Sequence, residues 1–116
     1  MVYFNSLDKE ITYYIGQNSR DNNSVIDQGF EDDLWFHAKS DSSCHVVCLL
    51  PDPAIFDLEE REMRMIIKKG AELCKQNTHK LSGLHNVPIM YTELRNITKT
   101  KTAGLVLTKN TKTIIV

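Results

Sequence analysis

Side chains able to do acid–base, nucleophilic or stacking chemistry gather between residues 33 and 48: Asp33, Trp35, His37, Lys39, Ser43, Cys44, His45 and Cys48. Asp33 and His37 fall on one face of an extended strand, but roughly 13 Å apart at about 3.4 Å per residue, too far to hydrogen-bond to each other. A hydrolase built here needs His37 or His45 to meet Ser43 across a turn. That geometry is open, yet no strained elbow of the G-x-S-x-G kind surrounds Ser43. Cys44 and Cys48 on a strand stand too far apart to share one tetrahedral ion, and no Cys-x-x-Cys occurs, so we expect no metal and no cofactor. Cys48 and Cys74 read as small core residues. Glycines at 16, 29, 70, 83 and 104 are scattered, which excludes a Gly-rich phosphate loop.

Nucleic-acid binding asks for flat groups that stack on bases and cations that meet phosphates. Residues 33–39 read as one strand, with Leu34, Phe36 and Ala38 on a core face and Asp33, Trp35, His37 and Lys39 on the other. Trp35 and His37 supply flat groups, Lys39 a cation, and Asp33 an acceptor for a base or ribose edge. A second reading stays open from the residues alone: Trp35 covers a satellite cluster beneath a short helix, and Asp33 caps a backbone group.

The elements that must position these residues alternate in period. Val2–Phe4 and Ile11–Ile15 read as a hairpin turned by residues 5–9, and Asn22 as the cap of a short helix stopped by Gly29. His45 to Leu50 is an apolar run of strand length ended by Pro51 and Pro53. Asp57 with Glu60 resembles a capping box for a long helix whose apolar stripe is Met63, Ile66, Ile67, Gly70, Leu73 and Cys74. Val87 to Tyr91 is a further strand, Ile97 leads away from it, and residues 105–107 are expected to pair with 114–116 as a terminal hairpin. These elements predict an α+β fold: a largely antiparallel sheet of about six strands, with one long and one short helix packed on one face.

A length of 116 residues, 41% hydrophobic and 25% charged, fits one domain spanning residues 1–116. Three cysteines and no apolar leader suggest a reducing, cytoplasmic setting, and no apolar run is long enough to imply a membrane partner. Net charge is −1, but residues 1–78 carry 8 Lys and Arg against 14 Asp and Glu, whereas residues 79–116 carry 6 against the single Glu93. The basic third suits an anionic surface, but a solubilising face is the reading the charges alone favour.

Asp33-Leu34-Trp35-Phe36-His37, then Ser43-Cys44-His45-Val46-Val47, then Val87-Pro88-Ile89-Met90-Tyr91-Thr92, Lys99 and Gly104 resemble in order the NFACT-R domain, the RNA-binding module of ribosome-quality-control factors. The likeness runs over nearly the whole chain and is nearest to standalone eukaryotic members. It implies a non-enzymatic RNA binder, with the D-x-W-x-H pattern on Asp33, Trp35 and His37, the S-x-H pattern on Ser43 and His45, and further site residues Tyr91, Thr92 and Lys99. The implied partners are tRNA or ribosomal RNA and the ribosome, with DNA also admissible. Where relatives often carry an Arg after the His-Val pair, this chain has Cys48-Leu49-Leu50, and it stops at Val116 without the charged coiled-coil tail of the standalone members. On this reading Trp35 and His37 touch RNA, Lys39, Arg95, Lys99 and Lys101 neutralise phosphate, and Trp35→Ala weakens binding without unfolding. Two alternatives remain: a protein-interaction module docking on a ribosome-associated partner, and a hydrolase using Ser43 with His37 or His45.

Overall fold

Alternation along the strand at Leu34–Ala38 divides the molecule into two unlike halves, because both faces of that strand are packed. The computed structural model describes residues 2–4, 11–40, 42–51 and 59–116. Its elements are β1 Val2–Phe4, β2 Ile11–Ile15, α1 Ser19–Ile26, β3 Leu34–Ala38, β4 Val46–Leu49, α2 Glu60–Gln76, β5 Pro88–Glu93, a 3₁₀ turn at Leu94–Asn96, β6 Ile97–Lys99, β7 Val106–Thr108 and β8 Lys112–Ile115. A six-stranded sheet runs in the order β1-β2-β4-β3-β5-β8, and β6 and β7 form a separate pair. Every pairing is antiparallel. The α+β architecture is therefore as the periodicity predicts. The expected turn at residues 5–9, Pro53 and the Asp57 cap lie outside the described residues.

The first face carries Phe36, Val46, Cys48, Tyr13 and Ile89, covered by α2 through Ile66, Ala71, Leu73 and Cys74. The stripe forecast for α2 is the buried one, with Met63 and Ile67 packed at its margin. At its start the Glu62 carboxylate accepts the Glu59 N–H at 3.2 Å, satisfying a donor the first turn leaves orphaned. The Tyr13 hydroxyl donates to the Ile66 carbonyl at 2.8 Å, tying β2 to the middle of α2. Burial pushes the Tyr13 phenol and the Cys48 thiol far up, so both stay neutral.

The second face carries Trp35 and Val47, covered by Val25 of α1 and by Leu94, with Ile97 of β6 and Val106 of β7 packed against them. The helices thus lie on opposite faces, which corrects the one-face expectation: α1 is too short to extend the α2 layer and serves the cluster around Trp35. Its N-cap is Asn18, whose side chain accepts the Asp21 N–H at 3.0 Å, and Asn22 is instead buried inside the helix.

The terminal hairpin is also corrected. β7 pairs with β6, while β8 joins the sheet beside β5. Val106 packs in the Trp35 cluster and Ile114 in the α2 cluster, so burial draws the two strands to different sides of the molecule. Asn110, at φ +53°, turns the chain between them without making them partners. Among the described residues no helix is long and apolar enough to cross a membrane.

Gly70 sits directly over Phe36: an added Cβ would come closer than 3.0 Å to three atoms of the ring. In an open helix Gly→Ala gains about 1 kcal/mol. Here the overpacking term, typically about 1–3 kcal/mol, opposes it. Gly70→Ala is expected to lower stability by roughly 1–2 kcal/mol in urea unfolding, and a variant more stable than the wild type would show that the Phe36 ring gives way freely.

Candidate nucleic-acid interface

A buried indole brings one polar atom with it, and that atom must find an acceptor. Trp35 is 0% exposed, so the stacking platform expected on a solvated face does not exist. Its Nε1–H donates to His45 Nδ1 at 3.2 Å. The His45 Nδ1 is therefore the lone-pair nitrogen and the proton sits on Nε2, where the ring meets the Gly104 backbone. Burial foremost, then the neighbouring His37, drive the His45 pKa down to about 4, with the Gly104 hydrogen bond opposing. His45 is a neutral connector buried in the interior.

The same connector holds α1. The His45 N–H donates to Asn22 Oδ1 at 2.9 Å, and one residue along, Asn23 Oδ1 accepts the Gly104 N–H at 3.1 Å. Gly104 has φ +81°, and an added Cβ would lie 3.1 Å from the Ser19 backbone, so only glycine lets the loop before β7 approach the start of α1 this closely. Asn22 and Asn23 are structural residues that sequence reasoning missed or misread as a cap. Two adjacent amides inside a short helix were the available signal.

Between this loop, the start of α1, the end of β3 and the end of α2 lies an open cavity of about 770 Å³. Its walls include Gln17, Asn18, Lys39, Ser42, Asn77 and Gly104. Of the Trp35 face, His37 and Lys39 reach it. The His37 ring stacks on Trp35 at 5.6 Å and 6°, and meets His45 edge-on at 4.9 Å. Its Nδ1 lies 2.7 Å from the Ala38 carbonyl. Burial lowers the His37 pKa against the pull of that bond, and the nearby Lys80 ammonium lowers it further. Lys80 itself donates to Ser42 Oγ at 3.2 Å, placing a cation at the cavity rim.

Other forecast site residues divide between scaffold and surface. Asp33 is buried and accepts from Phe30 N–H at 2.8 Å and Leu50 N–H at 2.9 Å, so it stitches the loop before β3 to the end of β4. This is the capping role left open by the residues. Thr92 is buried and bonds to the Asn110 carbonyl at 3.1 Å, while Tyr91 stacks on Phe36 at 6.0 Å on the opposite face of the sheet from His37. Arg95 pairs with Asp32 and with Glu93, and Lys99 with Asp27 at 2.6 Å. Lys39 and Lys101 are exposed.

The Ser43 hydroxyl accepts the Ala38 N–H at 2.9 Å and sits 3.0 Å from the Cys44 carbonyl, to which it donates. Neither histidine bonds to it among the described residues, so the nucleophile–base pair a hydrolase needs is not assembled. Cys44, at the cavity wall, is held near pKa 7 by a hydrogen bond from Cys74 with help from Thr78, against burial; the same contact and burial push Cys74 up.

The model of the NFACT protein RNA-binding domain family matches residues 1–114. The chain is 31% identical over 117 residues to the coiled-coil domain-containing protein 25 homolog of Dictyostelium discoideum, covering 98% of this chain and 55% of that protein. It is 30% identical over 89 residues to coiled-coil domain-containing protein 25 of Danio rerio, covering 77% of this chain and 42% of that protein. The chain thus spans about half the length of the curated relatives it matches. A solved structure of the C-terminal part of the fibronectin/fibrinogen-binding protein from Streptococcus suis superposes with a TM-score of 0.78 over 98% of this chain and 43% of that one, at 24% identity, which is a shared fold.

The buried rings make two measurable demands. Trp35→Ala is expected to cost about 3–5 kcal/mol by urea unfolding, since it empties the second cluster and strands His45 Nδ1. A variant within about 1 kcal/mol of the wild type would return Trp35 to the surface. For His45, the folded pKa near 4 lies below the ordinary 6.5, so between these values the unfolded chain takes up a proton that the folded chain refuses. Stability should fall as pH drops from 6.5 toward 4, by up to about 3 kcal/mol from this group, with His37 adding in the same direction. Unfolding free energies measured at pH 7.5 and 4.5 check this, and an unchanged value would mean that His45 is not held neutral.

Proposed function

We propose that this chain, which belongs to the NFACT protein RNA-binding domain family, is a non-enzymatic RNA-binding module whose contact site is the cavity at the end of β3. The observation that carries the reading is convergence. The buried Trp35–His45 pair, Asn22, Asn23 and Gly104 all serve to build one polar cavity, and His37 and Lys39 face into it. A cavity of about 770 Å³ with polar walls and Lys39 and Lys80 at its rim suits a phosphate–ribose unit. Structured RNA such as tRNA or ribosomal RNA, bound in the cytoplasm during translation or ribosome-associated quality control, is the ligand class the family likeness favours. The unassembled Ser43–His pairs favour binding over catalysis.

Exposed Leu105 and Leu107, at 57% and 65%, support a second reading in which β7 docks on a ribosome-associated protein. Salt separates the two, because phosphate contacts release counterions and apolar docking does not.

Fluorescence anisotropy of labelled tRNA titrated with the full chain at increasing salt is the test. Affinity should fall linearly on a log–log plot, and Lys39→Ala and Lys101→Ala should each flatten the slope by roughly 0.7–0.9, the share of a single phosphate neutralised. Binding indifferent to salt would favour the protein-docking reading, and unchanged slopes in both variants would move the RNA to another surface.

A further inference from the structure

A histidine in a phosphate-rich site ordinarily suggests a cation, and the geometry around His37 argues for the opposite. A carbonyl oxygen only accepts hydrogen bonds, so the 2.7 Å approach of His37 Nδ1 to the Ala38 carbonyl puts the proton on Nδ1. The other nitrogen, Nε2, is then a bare acceptor. The stack on Trp35 and the edge contact with His45 hold the ring in this orientation. His45 cannot share a proton with it, because the Trp35 N–H already occupies its Nδ1. Among the described residues every fully buried side-chain nitrogen and oxygen has a hydrogen-bond partner, whereas Nε2 bonds to none of them, so this atom opens to the cavity that His37 lines. Burial and the Lys80 ammonium keep the ring neutral.

The cavity therefore sets a fixed, donor-free acceptor beside cations. Lys39 and Lys80 at its rim suit phosphate oxygens, and the lone pair of Nε2 repels them. The group that meets Nε2 must donate. In a polynucleotide the donor found beside every phosphate, whatever the base, is the ribose 2′-hydroxyl, and its presence distinguishes RNA from DNA. Resting on the RNA-binding reading above, we propose that His37 is the specificity-determining residue of this site, its Nε2 accepting a hydrogen bond from a ribose 2′-hydroxyl. The scaffold role of Trp35 then becomes part of recognition, since Trp35 sets the plane in which that lone pair points.

The probe is one RNA hairpin made in two forms, unmodified and fully 2′-fluoro substituted. The substitution keeps the A-form shape and the phosphates but cannot donate. The wild-type chain should bind the unmodified hairpin about five- to ten-fold more tightly, the worth of one such hydrogen bond. His37→Phe keeps a flat ring against Trp35 and removes the acceptor; it should bind both hairpins alike, at the weaker level, with an unchanged salt slope. His37→Gln offers an acceptor again and should restore part of the preference. Thermal melting of each variant excludes unfolding as the cause. Equal wild-type affinity for the two hairpins, or a preference that survives in His37→Phe, overturns the inference while leaving RNA binding intact. If the unmodified hairpin shows no salt-dependent binding at all, the RNA-binding reading itself fails.

Discussion

The hydrogen bond from Trp35 Nε1 to His45 Nδ1 is the constraint on which the site depends. An unmet indole N–H in the interior costs about 1–3 kcal/mol, so the acceptor must be present and must keep its lone pair. That requirement fixes His45 as neutral and fixes its tautomer. The remaining N–H is then directed at Gly104, and the loop ahead of β7 is held against the start of α1. One bond between β3 and the residue just before β4 thus helps determine where a loop distant in sequence stands. It also orients the Trp35 ring, which in turn gives His37 its stacking surface.

The two faces of the sheet are covered by different physics. On the α2 side, cover is apolar: a 17-residue amphipathic helix lays Ile66, Leu73 and Cys74 on Phe36 and its neighbours, and burial alone specifies the fit. On the other side, eight residues of α1 and two short strands offer little apolar area. Asn22, Asn23, His45, Asp33 and Thr92 compensate by using side chains to satisfy the backbone of loops. Such polar lacing is directional where apolar burial is not, and it holds the cavity at the end of β3 in one shape.

Periodicity made the faces legible but not their covers. Alternation placed Trp35 and His37 together opposite Phe36, and the register with β5 and β4 agrees. The residues left open that Trp35 covers a cluster beneath the short helix, as Val25 shows it does, but could not decide it, because the rest of the roof, Leu94, Ile97 and Val106, is distant in sequence. The stripe of α2 was legible because a long helix repeats its signal over several turns. The cap of α1 was not, since Asn18 and Asn22 offer equal side chains and the choice was made by the His45 N–H, which needed Asn22 as its acceptor. The pairing of β8 was hidden for a similar reason: a good turn at Asn110 is a local cue, whereas the demand that Ile114 fill the α2 side is global. The D-x-W-x-H pattern read as three contact residues and resolved into a bracket, a scaffold ring and one open imidazole.

Charge segregated along the chain is not charge segregated in space. The acidic stretch before residue 78 and the basic third after it fold against each other, with Asp27 meeting Lys99 and Asp32 meeting Arg95, which also pairs with Glu93 of its own segment. Two of the cations that the sequence offered to phosphate are thus already paired. These pairs are solvent-exposed, however, and exposed ion pairs contribute about 0–1 kcal/mol, so an arriving phosphate can exchange with either carboxylate at small cost. The Arg95 cluster lies apart from the cavity, in a pocket it shares with Asp32, Glu93, Met63 and Ile67 on the α2 side of the sheet.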